Sequence, residues 1–283
     1  MLPAAVAVLS ASLVAAQQTP PRAWQQRLET EIPAPVPVVA LEAANPFATE
    51  VDTTPRRRSA VAPSKVDTQG RAVAAAYVDA RGECRGAVPL EVPYPGVAGP
   101  LMAELKAAKF DPAFAGADPT PSWAVVSVVV EGRVREAEIV SETLELPRAD
   151  DPPREAVRAP ATVPASLASL PATPNDRLTR PAELRRLRLR VPSGDAEVPV
   201  RALIHVTSDG RADRFVPLDL EPGLNDWMAA YLATWALEPA TREGDAVDCW
   251  VLYSARARVH MGALTSSTFR VEAGQSFDPT VPG

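Results

Sequence analysis

Apolar and polar residues alternate along several stretches in the second half of the chain. Arg185–Val191, Val198–Val206 and Val247–Val259 each place every second residue on one apolar face, a pattern typical of strands with one buried side. Arg211–Leu218 follows as a partner strand. The apolar faces of the second and last of these strands carry Val198, Val200, Ala202, Ile204 and Val206, and Val251, Tyr253, Ala255, Ala257 and Val259.

A helical pattern lies between these strands. Asn225 or Asp226 is expected to cap its start, and Pro239 stops any continuation. Ser208–Gly210 predicts a tight hairpin turn between the two strands before it. The helix presents one apolar stripe at i, i+1, i+4, i+5 and i+8, which is formed by Trp227, Met228, Tyr231, Leu232 and Trp235.

A fainter copy of this order occurs earlier in the chain. "TWALEPATREGDAVDCW" ends at Trp250 and "AKFDPAFAGADPTPSW" ends at Trp123, a shift of 127 residues (250 − 123). Upstream, Val88-Pro89-Leu90 falls on Val216-Pro217-Leu218 at a shift of 128 (216 − 88). The first copy is therefore predicted to form strands at Ala72–Val78, Glu83–Leu90 and Ser122–Val130, with a helix at about Val97–Lys109.

These elements predict an α+β fold: two copies of a small antiparallel sheet with one packed helix, in β-β-α-β order, joined by proline-rich linkers. A chain of 283 residues with 46% apolar content can hold two such modules. The expected organisation is a signal peptide at 1–16, a linker at 17–64, a first module at 65–145, a linker at 146–182, a second module at 183–272 and a tail at 273–283.

The 31 prolines of the chain cluster outside the repeats. Proline at alternate positions in Ile32–Val38 favours an extended polyproline II conformation. Segments with mixed charge, much proline and few aromatic residues cannot offset the entropy of ordering, so we expect little packed structure in either linker.

The N-terminus carries an apolar stretch, Leu2–Ala16, that ends in small residues of the kind a signal peptidase reads. As a helix it would span about 22 Å, short of the ~30 Å hydrocarbon core of a bilayer. A cleaved secretory signal, and hence a periplasmic protein, is the preferred interpretation. Because no Lys or Arg precedes the stretch, an inner-membrane anchor behind a mis-assigned start stays open as the alternative.

Composition narrows the function classes. The net charge of −6 argues against a general nucleic-acid binder, which needs a basic surface. The sequence has no nucleophile elbow, phosphate-binding loop or paired-cysteine motif. His205 and His260, with Asp209 or Asp213, could be imagined as a metal site, but ordinary strand histidines are the preferred interpretation. We therefore expect no enzyme activity, no cofactor and no metal site.

The second copy resembles the C-terminal domain of the TonB energy transducers. The matching residues are "ALIHVTSDGRA", then "TWALEPATREGDAV", then "WVLYSARARV", with Leu237 where a second aromatic residue is usual. The resemblance covers about Leu187–Val259 directly, and Ala72–Val130 through the internal repeat. It implies a periplasmic, non-catalytic domain whose last strand is an edge that pairs with a short segment of an outer-membrane receptor.

The resemblance makes the last strand the candidate partner-binding edge, because an edge strand offers free N–H and C=O groups to another chain. Alternatively, each module covers its own edge: a turn at Glu131-Gly132 followed by "RVREAEIV" in the first, and Gly262 followed by "SSTFRV" in the second. The candidate edge residues are Cys249, Trp250, Val251, Leu252, Tyr253, Ser254, Arg256 and Arg258.

Two further groups of residues are candidates for binding or cross-linking. Arg186, Arg188 and Arg190 form one basic face that could meet an anionic glycan or an acidic peptide, although a solvated strand face is the more ordinary interpretation. Cys84 and Cys249 are expected to be buried single thiols, and a disulfide between the modules is the alternative in an oxidising compartment.

The expected function is protein–protein contact in the cell envelope, as an accessory to outer-membrane transport or as a scaffold, through strand addition. A membrane-anchored energy transducer and a self-packed structural module are the alternatives. The expected partner is a protein or peptide, such as an outer-membrane receptor segment, with membrane contact only through an uncleaved N-terminus.

Overall fold

The computed structural model describes residues 34–47, 50–148 and 162–271 and the single residue Phe277. These residues belong to one compact unit, Ala34–Gly283. The predicted signal peptide at 1–16 lies outside the described residues. Within them, no helix is long and apolar enough to cross a bilayer.

The described chain is mostly strand. Its elements are, in chain order, β1 (Arg56–Ser59), β2 (Val66–Val78), β3 (Cys84–Glu91), α1 (Ala98–Ala107), β4 (Phe110–Asp111), β5 (Ala113–Ala115), β6 (Asp118–Thr120), β7 (Ser122–Glu145), α2 (Ala165–Ala168), β8 (Glu183–Leu184), β9 (Arg190–Val191), β10 (Gly194–Val206), β11 (Ala212–Asp219), α3 (Asn225–Ala233), β12 (Ala236–Glu238), β13 (Ala240–Arg242), β14 (Asp245–Val247), β15 (Cys249–Met261) and β16 (Leu264–Val271).

Both repeats have the predicted order of two strands, a helix and a strand. The first repeat is β2, β3, α1 and β7, and the second is β10, β11, α3 and β15. The predicted helical stripe is buried from Trp227 to Trp235, and the hairpin turn holds Gly210 at a φ of +77°. A residue with positive φ favours glycine, so the turn chemistry read from the sequence is the one that forms.

Three local predictions are wrong. Arg185–Val191 is not one strand, because only Arg190–Val191 forms ladder pairs. The leucines of this segment are nevertheless buried and its arginines exposed, as the alternation predicted. Neither Asn225 nor Asp226 caps α3: a 3₁₀ turn at Pro222–Leu224 leads into the helix, and its N-cap Leu224 makes no side-chain bond. The expected turn at Gly132 is absent, since β7 runs straight through it.

Gly132 serves close packing instead of a turn. A Cβ atom at this position would lie 2.0 Å from a methyl carbon of Leu264. A larger residue here would require the Leu264 side chain to move, and the strand continues through Gly132 for 24 residues in all, well past the predicted end at Val130.

The centre of the fold is a pair of long antiparallel strands. Strand β7 pairs along one edge first with β16, over residues 126–131, and then with β15, over residues 134–145. Between β15 and β16 the N–H of Gly262 donates to the carbonyl of Arg133 at 2.8 Å, so the pairing is continuous. Strand β7 therefore lies beside β16 and then β15 over almost its whole length.

The pairing is twofold symmetric in sequence. Ile139 pairs with Ala257, and the residues 127 positions away, Ser266 (139 + 127) and Val130 (257 − 127), pair with each other. One irregularity also corresponds: the β15–β7 ladder shifts register after Arg256 and the β16–β7 ladder after Ser266, and the β15–β7 ladder shifts again after His260. One chain thus builds what two exchanged subunits would build in a dimer.

The strands form one sheet of eight, in which β7 carries β2 and β3 on its outer edge and β15 carries β10 and β11 on its own. The α+β class and antiparallel pairing are as predicted, but two separate small sheets are not found. The correction has a physical reason: each last strand continues past its own repeat and pairs with the other, which merges the sheets.

The two repeats also share one apolar core. A single cluster of buried side chains includes Leu101 and Val126 from the first repeat and Leu232 and Tyr253 from the second. Helix α3 packs against β2 of the first repeat, and the N–H of Gly223 donates to the carbonyl of Pro93 at 3.0 Å. Burying each large apolar side chain contributes about 1.5–3 kcal/mol, so this shared core binds the repeats firmly together.

The described parts of both linkers are packed. Residues 53–59 lie against the second repeat, where Arg57 pairs with Leu237, and residues 180–184 lie against the first, where Leu184 pairs with Phe110. These pairs are equivalent at the shift of 127 (184 − 57 and 237 − 110). The prediction of little packed structure is wrong here, because each linker finds hydrogen-bond partners and apolar surface on the opposite repeat.

Candidate binding edges of the sheet

The candidate edge strand lies inside the sheet. Strand β15 pairs with β10 along one side, from Val206 opposite Cys249 to Gly194 opposite Met261. Along its other side it pairs with β7, from Glu145 opposite Leu252 to Val134 opposite Met261. The prediction of a free edge is therefore wrong. The candidates from Leu252 onward have a strand on both sides, and Cys249, Trp250 and Val251 are buried. The candidates concerned are Cys249, Trp250, Val251, Leu252, Tyr253, Ser254, Arg256 and Arg258.

The covering segments are those expected, but they act on the opposite repeat. "RVREAEIV" belongs to β7 and covers β15 of the second repeat, whereas "SSTFRV" belongs to β16 and covers β7 of the first. Self-coverage needed a hairpin at Gly132 or Gly262, and neither forms. Strand addition at either last strand would require β7 and β16 to be displaced.

The sheet has outer edges at β3, at β11 and, beyond β16, at the two-residue strand β9. The equivalent edges β3 and β11 are not equally covered. The N–H of Phe215 on β11 donates to the carbonyl of Pro37 at 3.0 Å, and the N–H of Val39 donates to the carbonyl of Phe215 at 2.8 Å. The chain thus adds its own proline-containing segment to this edge, in parallel. Val36 is anchored beside it, since its N–H donates to the carbonyl of Ala229 in α3.

The equivalent edge of the first repeat is open at Ala87. Ala87 corresponds to Phe215 at the shift of 128 (215 − 87), and it pairs with Ala76 as Phe215 pairs with Ile204. Its N–H and C=O therefore point away from β2, out of the sheet. Among the described residues, no backbone group bonds to them.

The two edges differ in the side chain before the bonding residue. Arg214 on β11 lies over the Trp250 ring, 5.7 Å from its centre. Its equivalent is Gly86, where a Cβ would lie 2.7 Å from the methyl carbons of Leu167 in α2. The segment before the second repeat packs at Trp123, and no backbone group of its described part bonds to β3.

The sequence held a signal for these edges that the strand-addition argument missed. Pro89 and Pro217 lie within β3 and β11. Proline cannot donate to a ladder, so a proline inside a strand indicates an edge. The matched Val-Pro-Leu triplets thus mark β3 and β11 as edges as well as marking the repeat.

A polar cluster joins four elements where the first linker crosses the second repeat. The Arg57 guanidinium pairs with the Glu142 carboxylate and donates to the hydroxyl of Tyr231 at 2.8 Å, and the hydroxyl of Tyr253 donates to Glu142 at 3.0 Å. Arg57 also lies 5.5 Å from the centre of the Trp235 ring. We call these five residues the polar clasp. Burial raises the pKa of Tyr253 well above its usual value, so its hydroxyl stays a donor.

The three predicted basic residues lie beside β16. Arg190 pairs with Thr265, and the carbonyl of Leu189 accepts from the N–H of Ser266 at 3.2 Å. Arg186, Arg188 and Arg190 are exposed while the leucines between them are buried. The structure therefore places these arginines together on one solvent face, as the alternation predicted.

The two cysteines are both free and buried. Cys84 lies at the start of β3, opposite Val78, and Cys249 lies at the start of β15, opposite Val206. The disulfide alternative is therefore not formed. Burial raises the pKa of the Cys249 thiol to about 11 and also raises that of Cys84, so neither thiol is activated as a nucleophile.

The two histidines are not brought together. His205 lies opposite Trp250 and bonds to Asp213 at 2.7 Å, whereas His260 lies at the other end of β15 and bonds to Asp195 at 2.6 Å. Each is one partner in a cross-strand pair with a carboxylate. The arrangement of both histidines around one metal ion does not occur.

Comparison with protein-family models, with curated proteins and with solved structures finds no significant match in any of the three.

Proposed function

We propose that the protein is a non-catalytic binding protein that captures an extended segment of a partner protein by strand addition at the outer edge of β3. The observation that carries this proposal is the contrast between equivalent edges: β11 holds a segment of the chain itself at Phe215, and β3 offers the same groups at Ala87 with no described partner. Open strand edges are ready templates for another chain.

The filled edge supplies the geometry for the open one. At Phe215 only two groups of the added segment are used, the carbonyl of Pro37 and the N–H of Val39. A segment that pairs in this way needs one carbonyl and, two residues later, one N–H. Proline is compatible with the first position and limits the entropy lost on binding.

The test uses the full chain and a synthetic peptide with the sequence of residues 34–40, followed by amide hydrogen exchange. We expect the peptide to slow exchange at Ala87. Ala87→Pro removes the outward N–H without touching a bond to β2, and it should abolish that binding. Because residue 87 of this variant has no amide to exchange, binding to both variants is measured by the fluorescence anisotropy of the labelled peptide. The matched control Ala87→Val keeps the N–H and should bind like the parent.

Thermal unfolding of both variants shows whether they are folded. Peptide protection at Phe215 alone would mean that the peptide only replaces the chain's own segment, and equal binding by Ala87→Pro and Ala87→Val would also overturn the proposal.

We propose a periplasmic setting and an accessory role in outer-membrane transport or cell-envelope scaffolding. The TonB-like residues 187–259 and the apolar N-terminus support this setting. The mass of the mature N-terminus in soluble and membrane fractions tests it: a soluble chain that begins at Gln17 fits the proposal, and an intact N-terminus in the inner membrane favours the anchored transducer.

A self-packed structural unit is the second candidate function. It is favoured by the reciprocal covering of both last strands, which removes the edge that the resemblance implied. Such a unit would leave Ala87 unprotected by any peptide, so the same exchange experiment separates the two functions.

A further inference from the structure

Four exposed arginines lie together at one side of the sheet. They are Arg186, Arg188 and Arg190 in the segment beside β16, and Arg270 on β16 itself. Neighbouring Arg185 is bound to Asp111, but no carboxylate of the described residues forms an ion pair with any of the four. We call them the arginine face.

Strand register puts the arginine face on one surface. Arg190 lies opposite Thr265, which lies opposite Glu131 of β7, and Arg270 lies opposite Ser127 of the same strand. Glu131 and Ser127 are four residues apart in a regular strand, so they point to the same side. The antiparallel direction of residues 186–190 carries Arg186 and Arg188 from Arg190 towards Arg270.

Arg270 lies opposite Ser127, and the nearest acid in this row, Glu131, accepts from the side-chain amide of Gln69. The four arginines carry like charges on one surface and repel one another, so an anionic partner that binds them would relieve that repulsion.

We infer that the arginine face binds an extended acidic segment of a partner protein. Buried Leu187 and Leu189 alternate with exposed Arg186, Arg188 and Arg190, so the three arginines lie at alternate positions on one side of the segment. Acidic residues at alternate positions of an extended peptide, about 6.6 Å apart, likewise lie on one side. Each guanidinium fork can then bind one carboxylate through two parallel hydrogen bonds.

The surroundings favour a short acidic segment over a long polyanion. Beyond Glu131 the same long strand continues into Glu136 and Glu138, both exposed, of which Glu138 is paired with Arg258. A nucleic acid or long glycan that extends past the arginine face would meet the carboxylate of Glu136 and be repelled, whereas a short segment fits within the face.

The test measures fluorescence anisotropy of a labelled peptide of about ten residues that alternates Glu and Thr, roughly 33 Å when extended. Arg186→Ala, Arg188→Ala and Arg190→Ala combined should weaken binding by about tenfold, and binding should weaken as salt rises. The matched control removes three exposed arginines elsewhere, Arg56, Arg81 and Arg256, and should change affinity by less than about twofold.

The corresponding three lysine substitutions keep the charge but lose the guanidinium fork. The affinity of this variant for the acidic peptide should therefore lie between those of the parent and the alanine variant. Equal affinity of the parent and the folded alanine variant would overturn the inference, and so would an equal loss in the control. Tighter binding of a sulfated oligosaccharide or of vesicles containing anionic lipid would reassign the face to that ligand. Ala87→Pro should leave this binding unchanged, which separates the inference from the proposed function.

Discussion

The two repeats cross each other at equivalent places, but with different chemistry. In the second repeat the crossing is the polar clasp, with Arg57 and Glu142 at its centre. The residues at the equivalent positions of the first repeat are mostly apolar: Leu184 for Arg57, Phe269 for Glu142, Glu104 for Tyr231, Ala108 for Trp235 and Val126 for Tyr253.

The difference teaches that the backbone exchange does not depend on either set of side chains. Strand pairing, bulges and linker contacts correspond in both halves, while one crossing uses an ion pair among aromatic rings and the other uses apolar contact. The strand and helix pattern shared by the two repeats therefore determines the topology. Different side chains stabilise each crossing.

The largest effect is expected from a chain break between Glu155 and Ala156. Each half would then lose the strand that covers it and the linker that packs on the opposite repeat, so neither half alone should unfold cooperatively. Mixing the halves should restore the fold, as judged by near-ultraviolet circular dichroism and thermal unfolding. Independent folding of both halves would show that the repeats are separable domains after all.

Substitution of the paired glycines Gly96 and Gly223 should have unequal effects. A Cβ at Gly223 would lie 2.3 Å from the Tyr94 ring and 2.7 Å from the carbonyl oxygen of Pro93. Gly223→Ala should therefore lower the free energy of unfolding by about 3 kcal/mol. Gly96 has a φ of +79° and no neighbour within 4 Å, so Gly96→Ala should cost only about 1 kcal/mol. Denaturant titration measures both, and a reversed order would contradict the contact between repeats.

Removal of the Glu142 carboxylate from the polar clasp should lower the free energy of unfolding by less than Gly223→Ala does. Glu142→Ala leaves Arg57 without its partner, and because both side chains are about a quarter exposed we expect a loss of about 2 kcal/mol. The matched change in the first repeat, Phe269→Ala, should cost less than about 1 kcal/mol, since Phe269 is already partly exposed.

The clasp can also be converted to the chemistry of its counterpart. Arg57→Leu combined with Glu142→Phe copies Leu184 and Phe269, and it should recover part of the loss of Glu142→Ala because an apolar pair can replace a partly buried ion pair. A double variant less stable than Glu142→Ala would show that the two crossings are not interchangeable.

The smallest effect concerns alkaline pH. Because burial raises the pKa of Cys249 from 9.0 to about 11, the folded protein holds this proton after the unfolded chain has released it. The stabilising contribution is thus complete below pH 9 and is lost as pH rises towards about 11, by a total of the order of 2 kcal/mol. Cys249→Ala should flatten the decline in stability over this range. Cys84→Ala should flatten it less, since burial raises the pKa of Cys84 against the positive charge of Lys106, which lowers it.

The sequence predicted the elements well where local chemistry decides them. Alternation gave β10 and β15, the stripe from Trp227 to Trp235 gave α3, and Gly210 gave the turn. It could not decide where β7 ends, because Gly132 is read equally well as a turn or as a place of close packing. For the binding site, alternation placed the arginines, but the candidate edge was wrong because β15 is covered from far away in sequence.

The amino-acid sequence by itself determined the strand faces, the helix and the exposure of the arginines, since each depends on residues a few positions apart. It also determined the repeat, because the matching residues are visible in the sequence itself. Proline marks β3 and β11 as edges, but only the tertiary structure decided that β15 is interior. That decision depends on pairing between segments more than 100 residues apart, such as Glu142 with Ala255. Hydrophobic alternation is the same for a strand with one neighbour or two, so no local pattern distinguishes exchange from self-coverage.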